Sequence, residues 1–122
     1  HHDLSHHGNN QEKMDQVSLI DRFYVEEFSY FLNRMNEAKD FDGHSLLHNS
    51  MVVWGSGLSD GNQHSHRDLP IILAGHAGGK FKPGRHMDVG AKPLNNLFVR
   101  MLDEIGLPSA QFGDSTGSEI RV

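Results

Sequence analysis

Two short apolar runs, Met51-Val52-Val53-Trp54 and Leu69-Pro70-Ile71-Ile72-Leu73-Ala74, constrain this chain most, because neither alternates polar with apolar residues. A strand with one wet face alternates with period two, whereas a strand apolar throughout must be covered on both faces. Each run leaves through glycine, at Gly55-Ser56-Gly57 and at Gly75-His76-Ala77-Gly78-Gly79, so each reads as a short buried strand running into a loop. Pro70 cannot donate to a ladder, which places it at the beginning of its strand. Strands of this kind belong to α/β proteins, so the expected architecture is a mostly parallel sheet flanked by helices.

The helices are legible on either side of these runs. Val17, Ile20, Tyr24, Phe28, Phe31 and Met35 are separated by 3, 4, 4, 3 and 4 residues and draw one stripe down a helix from Met14 to about Ala38. Asp15, Asp21, Glu26, Glu27, Arg34 and Glu37 lie largely off the stripe, so one side should cover a core, with the aromatic residues Phe23, Tyr24, Phe28, Tyr30 and Phe31 filling it. A second helix runs from Pro93 to Ile105, with Leu94, Leu97, Phe98, Met101 and Leu102 as its stripe and Gly106 and Pro108 as its stop. Lys39 to Asn49 reads as a polar connector, Phe81 to Val89 as an irregular hairpin, and residues 111–122 as a loose tail.

Two buried strands and two helices do not close a parallel sheet, since a central strand needs a neighbour at each edge. Residues 1–122 are therefore expected to be a single partial domain, the C-terminal segment of a larger α/β domain, whose sheet is completed by the rest of the parent chain or by self-association. An opening without Met or a charged-then-apolar leader fits a piece of a longer protein, from which export cannot be read.

Composition narrows the chemistry. A chain of 122 residues carries one core. No apolar run approaches the roughly 18 to 20 residues that cross a bilayer, which excludes a membrane span. A net charge of −5, with no dense basic stretch, argues against nucleic acid as a partner. The absence of Cys removes disulfides, thiol nucleophiles and thiolate metal sites.

Ten His remain, and several are clustered with carboxylates. The first cluster is His2-Asp3-Leu4-Ser5-His6-His7. If this stretch is a helical turn, His2 with His6 or Asp3 with His7 would share one face, and imidazole and carboxylate suit zinc, manganese or iron. The second spans Ser56 to Asp68 between the two strands, where Asp60, His64 and His66 sit on a glycine-bearing loop beyond a strand's carboxyl end. Should the two segments converge, His2, Asp3, His6, His7, Asp60, His64 and His66 are the candidate ligands of a divalent metal, zinc or manganese, and a binuclear centre would clamp a phosphoryl-like oxyanion. His76 follows the second strand and is a weaker candidate, while His44, His48 and His86 read as surface residues. No serine can be assigned a base and an orienting carboxylate, so the catalytic residues stay unknown.

These blocks carry a resemblance. His2-x-x-Ser5-His6-His7 matches the pattern that gives the HXXSHH family of uncharacterised bacterial proteins its name. Gly55 to Asn62, then His64-x-His66-x-Asp68-Leu69-Pro70, and finally Phe112-Gly113-Asp114-Ser115-Thr116-Gly117 resemble the C-terminal part of the same family, so the likeness covers essentially the whole chain. That family is similar to the alkaline phosphatase and sulfatase superfamily, in which an α/β core holds two metal ions beside a phosphate or sulfate ester. The resemblance implies an alkaline-phosphatase-like fold, a periplasmic or exported location, and a nucleophile lying N-terminal to these residues. His64 corresponds to the last metal-ligating His of the superfamily. Asp60 stands where the Asp of an Asp-His pair would be, with Gly61 in place of the His, and the first pair maps onto either Asp3 with His7 or His2 with His6.

The function expected on this basis is that of a metal-binding part of a phosphatase- or sulfatase-like hydrolase. The alternative is a non-catalytic α/β module of an exported complex that retains the fold and at most one metal.

Overall fold

The computed structural model describes residues 1–117 and residue 120. A single helical turn, α1 (His2–Ser5), leads into the long helix α2 (Gln11–Glu37). Asn10 caps α2 by accepting the Lys13 amide on its side chain at 3.0 Å, which satisfies one of the orphan donors of the first turn. At the other end Ala38 is extended, and its amide still reaches the Arg34 carbonyl. The connector that follows is more ordered than its polarity suggests. Ser45 caps a short helix, α3 (Leu46–Asn49), and an isolated bridge joins Lys39 to Ser45.

Both expected strands are present, as β1 (Val52–Gly55) and β2 (Ile71–Ala74), but they pair antiparallel, with Val52 opposite Ala74 and Gly55 opposite Ile71. A mostly parallel sheet is expected from the sequence, and these two strands form an antiparallel pair instead. A parallel pair needs a crossover that carries the chain back along the sheet, usually a helix. Residues 56–70 contain no helical period and instead fold on themselves through an Asp60–Ser65 bridge, returning the chain directly alongside β1. Among the described residues the sheet consists of these two strands, and the architecture is a mixed helix-and-sheet one.

Helix α2 lies over β1 through Phe28, whose ring stacks on Trp54 at a centroid distance of 5.5 Å. A two-stranded ribbon offers a narrow face, so most of the aromatic set expected in a core stays outside it: Leu19, Phe23 and Tyr30 are 68%, 54% and 62% exposed, and Tyr24 and Phe31 are exposed as well. The tightest burial of apolar residues is elsewhere, at Phe81, Leu97, Val99 and Ile120. Helix α4 (Asn95–Glu104) supplies Leu97 and Val99, and the Lys80 ammonium ties the turn after β2 to Glu104 of α4 with an Nζ–Oε2 distance of 3.5 Å. Residues 81–94 run without regular structure.

Of the tail for which the sequence predicts little structure, residues 112–117 lie against α4. Buried Asn96 accepts the Thr116 amide at 2.8 Å and donates to the Thr116 hydroxyl at 3.1 Å, and Asn95 donates to Asp114 at 2.8 Å. Residues 118, 119, 121 and 122 of that predicted tail lie outside the described residues. Among the described residues no helix is long and apolar enough to cross a membrane.

Candidate metal centre

The site is assembled from α1 and from the loop between the strands. Residues 2–5 do form one helical turn, stabilised by the Ser5 hydroxyl donating to the His2 carbonyl at 2.9 Å. Four residues of separation place His2 and His6 side by side, with ring centroids 4.8 Å apart and the rings edge to face. The loop is shaped by Asp60. One carboxylate oxygen accepts the amides of Asn62 at 2.8 Å and Gln63 at 3.2 Å, while the Asp60 carbonyl accepts the Ser65 amide at 3.0 Å. This tight turn leaves His64 in the left-handed region, with φ of 52°. An L-residue there costs about 1–2 kcal/mol that glycine would avoid. The position keeps an imidazole nonetheless.

Two contacts fasten the loop to α1 and to the residues that follow it. The Asn62 side chain accepts the Gly8 amide at 3.0 Å, and Gly61 passes so close to Ser5 that a Cβ built on it would lie 2.9 Å from the Ser5 Cβ. The consequence is that His64 reaches His6, with Nε2 to Nε2 at 3.4 Å and ring centroids 5.0 Å apart. His2, His6 and His64 thus form one run of touching rings drawn from two distant parts of the sequence.

The other predicted ligands point elsewhere. Asp3 faces Lys13 at 3.6 Å and its side chain is almost fully exposed. His7 accepts the Asn9 amide on Nδ1 at 3.0 Å. Asp60 is engaged in its turn. His66 lies with Nδ1 2.8 Å from the Gly57 carbonyl, and since a carbonyl only accepts, Nδ1 is the donor in this contact. Of the two pairs left open by the spacing, His2 with His6 is the one whose rings meet. His76 does not reach this cluster, because its ring stacks on His48 at 5.2 Å.

The fastening role of Asn62 and Gly61 is not legible in the sequence, where Gly61 stands out only for occupying the place of a His. Both stand inside the block that carries the resemblance, but a fastening role depends on what the loop lies against, which a single sequence does not display. Nitrogen ligands at the usual zinc distance of about 2.0–2.1 Å are separated by about 3.3–3.4 Å around a tetrahedral ion. The His6–His64 spacing meets that requirement. Among the described residues no group of three or more His, Asp or Glu side chains is gathered tightly enough to hold a metal by itself. Comparison of the chain with protein-family models, with curated proteins and with solved structures gives no match.

Proposed function

We propose that this chain carries the histidine side of a divalent-metal site belonging to a phosphatase- or sulfatase-like hydrolase, with His6 and His64 as ligands and His2 beside them. The observation that carries this reading is the 3.4 Å separation of the two Nε2 atoms across an otherwise fastened loop. The donor chemistry favours zinc or manganese, since neutral imidazole is a good ligand for both. A divalent ion bound here would polarise an ester's phosphoryl or sulfuryl oxygen. The chain's own part is to present the imidazoles: α1 aligns His2 with His6, the Asp60 turn aims His64, and Asn62 with Gly61 keeps the two segments in contact.

The finer fold reading belongs to the same proposal. In it, β1 and β2 lie at the margin of a larger, mostly parallel sheet of alkaline-phosphatase type, completed by the rest of a parent chain or by a second copy. The exposure of Leu19, Phe23 and Tyr30 on α2 supports it, because large apolar and aromatic side chains repeated along one side of a helix are ordinarily covered. One observation favours the second reading, a non-catalytic module of an exported complex with one metal. Asp60 and the Ser5 hydroxyl, a carboxylate and a hydroxyl from the same two segments as the imidazoles, are both engaged in local backbone hydrogen bonds.

Zinc titration calorimetry decides on the site. The chain should bind one ion, and His6→Ala and His64→Ala should each weaken it by about tenfold or more, as loss of a ligand or its support does, while His86→Ala in the irregular segment leaves it unchanged. Stoichiometric zinc bound equally well by both site variants would overturn the proposal. Turnover of p-nitrophenyl phosphate or sulfate by a zinc-loaded parent protein, lost in His64→Ala, would separate the hydrolase from the module.

A further inference from the structure

A second group of imidazoles lies apart from the metal centre. His44, in the connector before α3, stacks on His48 of α3 with centroids 4.3 Å apart and planes 20° from parallel, and His48 stacks in turn on His76 at 5.2 Å and 26°. His76 opens the turn that follows β2. That turn is fastened to α3 by its backbone: the Ala77 amide donates to the Ser50 carbonyl at 3.1 Å and the Gly78 amide to the His48 carbonyl at 2.9 Å. Its far end is the buried Phe81, whose amide donates to the His76 carbonyl at 2.9 Å. Three rings therefore stand in one column across three segments, with half-buried His48 in the middle and exposed His44 and His76 outside.

Face-to-face stacking suits neutral imidazoles, and it sets the ring lone pairs in parallel planes that do not converge on one metal ion. Protonation changes the balance, because neighbouring imidazoliums carry like charges at contact distance. The charges around the column are unevenly placed. Asp42 sits at the His44 end, where it accepts the His44 amide at 2.9 Å, and Asn49 of α3 donates to both Asp42 and Asp40. Arg34 of α2 is paired with Glu37, and Lys80 of the turn is drawn to Glu104. The carboxylates thus offset charge at the His44 end, while His76 is the ring farthest from them along the column.

We propose that the His44–His48–His76 column is a pH-operated latch, closed when the rings are neutral and released as His48 and His76 become charged together, freeing the turn of residues 76–81 from α3. The latch acts on that turn and leaves the β1–β2 ladder in place, since the ladder bonds involve none of the three histidines.

Amide hydrogen exchange of the whole chain, corrected for the intrinsic effect of pH, tests this. Between pH 7.5 and pH 5.5 the protection of the Gly78 amide should fall at least tenfold while that of the protected amides of the ladder between Val52–Gly55 and Ile71–Ala74 changes less than twofold. His76→Phe, which keeps a flat ring without a titrating nitrogen, should hold Gly78 protection constant over the same range. Unchanged Gly78 protection in the native chain would overturn the proposal. So would an equal loss at the ladder, which is ordinary acid unfolding, or a pH response that persists in His76→Phe.

Discussion

The imidazoles of His6 and His64, 58 residues apart in the chain, meet Nε2 to Nε2 at 3.4 Å. Because imidazole ligates metal only when unprotonated, and its ordinary pKa is about 6.5, zinc affinity of a site built on this pair should fall steeply from about pH 7.5 to pH 5.5. Carboxylate ligands alone, with ordinary pKa values near 4, would give a nearly flat profile over that range. The profile of His64→Ala should be shallower than that of the native chain, as read from zinc titrations at stepped pH. Equal slopes in the two would remove His64 from the ligand set.

The left-handed backbone of His64 separates the ring's purpose from the turn's. Glycine adopts that φ freely, so His64→Gly should preserve the Asp60 turn and leave the chain at least as stable as the native one, since it relieves a cost of about 1–2 kcal/mol against the roughly 0.5–1 kcal/mol of extra chain entropy that glycine loses on folding. Zinc affinity should fall as far as in His64→Ala. Thermal melting and calorimetry on the same samples check both halves, and retained affinity in the glycine variant would show that the ring is not needed.

Gly61 tests the fastening of the loop. A methyl at this position would lie 2.9 Å from the Ser5 Cβ and 3.2 Å from its hydroxyl, closer than packed carbons tolerate. Gly61→Ala should push the loop from α1, weaken zinc binding, and cost about 1–3 kcal/mol of stability, as overpacking does. Adding Ser5→Gly removes the obstructing side chain and should recover part of the affinity. If the single alanine variant binds as well as the native chain, the close approach does not govern the site.

Gly75 should be the least replaceable glycine for folding. It has φ of 94°, is buried, and a Cβ there would stand 2.1 Å from the Ser50 carbonyl oxygen and 2.9 Å from that of Leu47. Backbone strain and collision act together, so Gly75→Ala should destabilise the chain by about 3 kcal/mol or more in chemical denaturation. A loss below about 1 kcal/mol would mean that the turn after β2 does not pack on α3 as described.

Asp42 provides a titration with a definite sign. Hydrogen bonds from the Asn49 side chain and from the His44 amide hold its carboxyl below the ordinary carboxylate range, with the nearby His44 and His48 adding to the effect. Its folded pKa is thus below its unfolded one, so the stabilisation it contributes is present above the unfolded value and is lost as pH falls through the folded value. Carboxyl-carbon NMR should show Asp42 titrating at lower pH than free aspartate, and Asn49→Ala should move it back upward. An unmoved titration in Asn49→Ala would assign the shift to another cause.

Much of the local structure is written in the sequence. The 3-and-4 spacing of Val17 through Met35 marks α2, the stripe from Leu94 to Leu102 marks α4, and the two apolar runs mark β1 and β2 to within two residues, because periodicity and glycine punctuation are local properties. The sharing of one face by His2 and His6 in the candidate metal centre was equally readable, since a helical turn is itself local. The direction of strand pairing was not. An unalternating apolar run fits a strand in either orientation, and the choice fell to residues 56–70, which fold back through Asp60 and Ser65 in place of a crossover. Nor could sequence show that, of the seven candidate ligands, His6 and His64 are the pair whose rings meet across the two segments. That meeting depends on Asn62 and Gly61 docking against Gly8 and Ser5, a contact between segments with no periodic relation to one another. The column of His44, His48 and His76 has the same origin: these side chains, read as separate surface residues or as a strand-end candidate, were brought face to face only when the turn after β2 closed on α3.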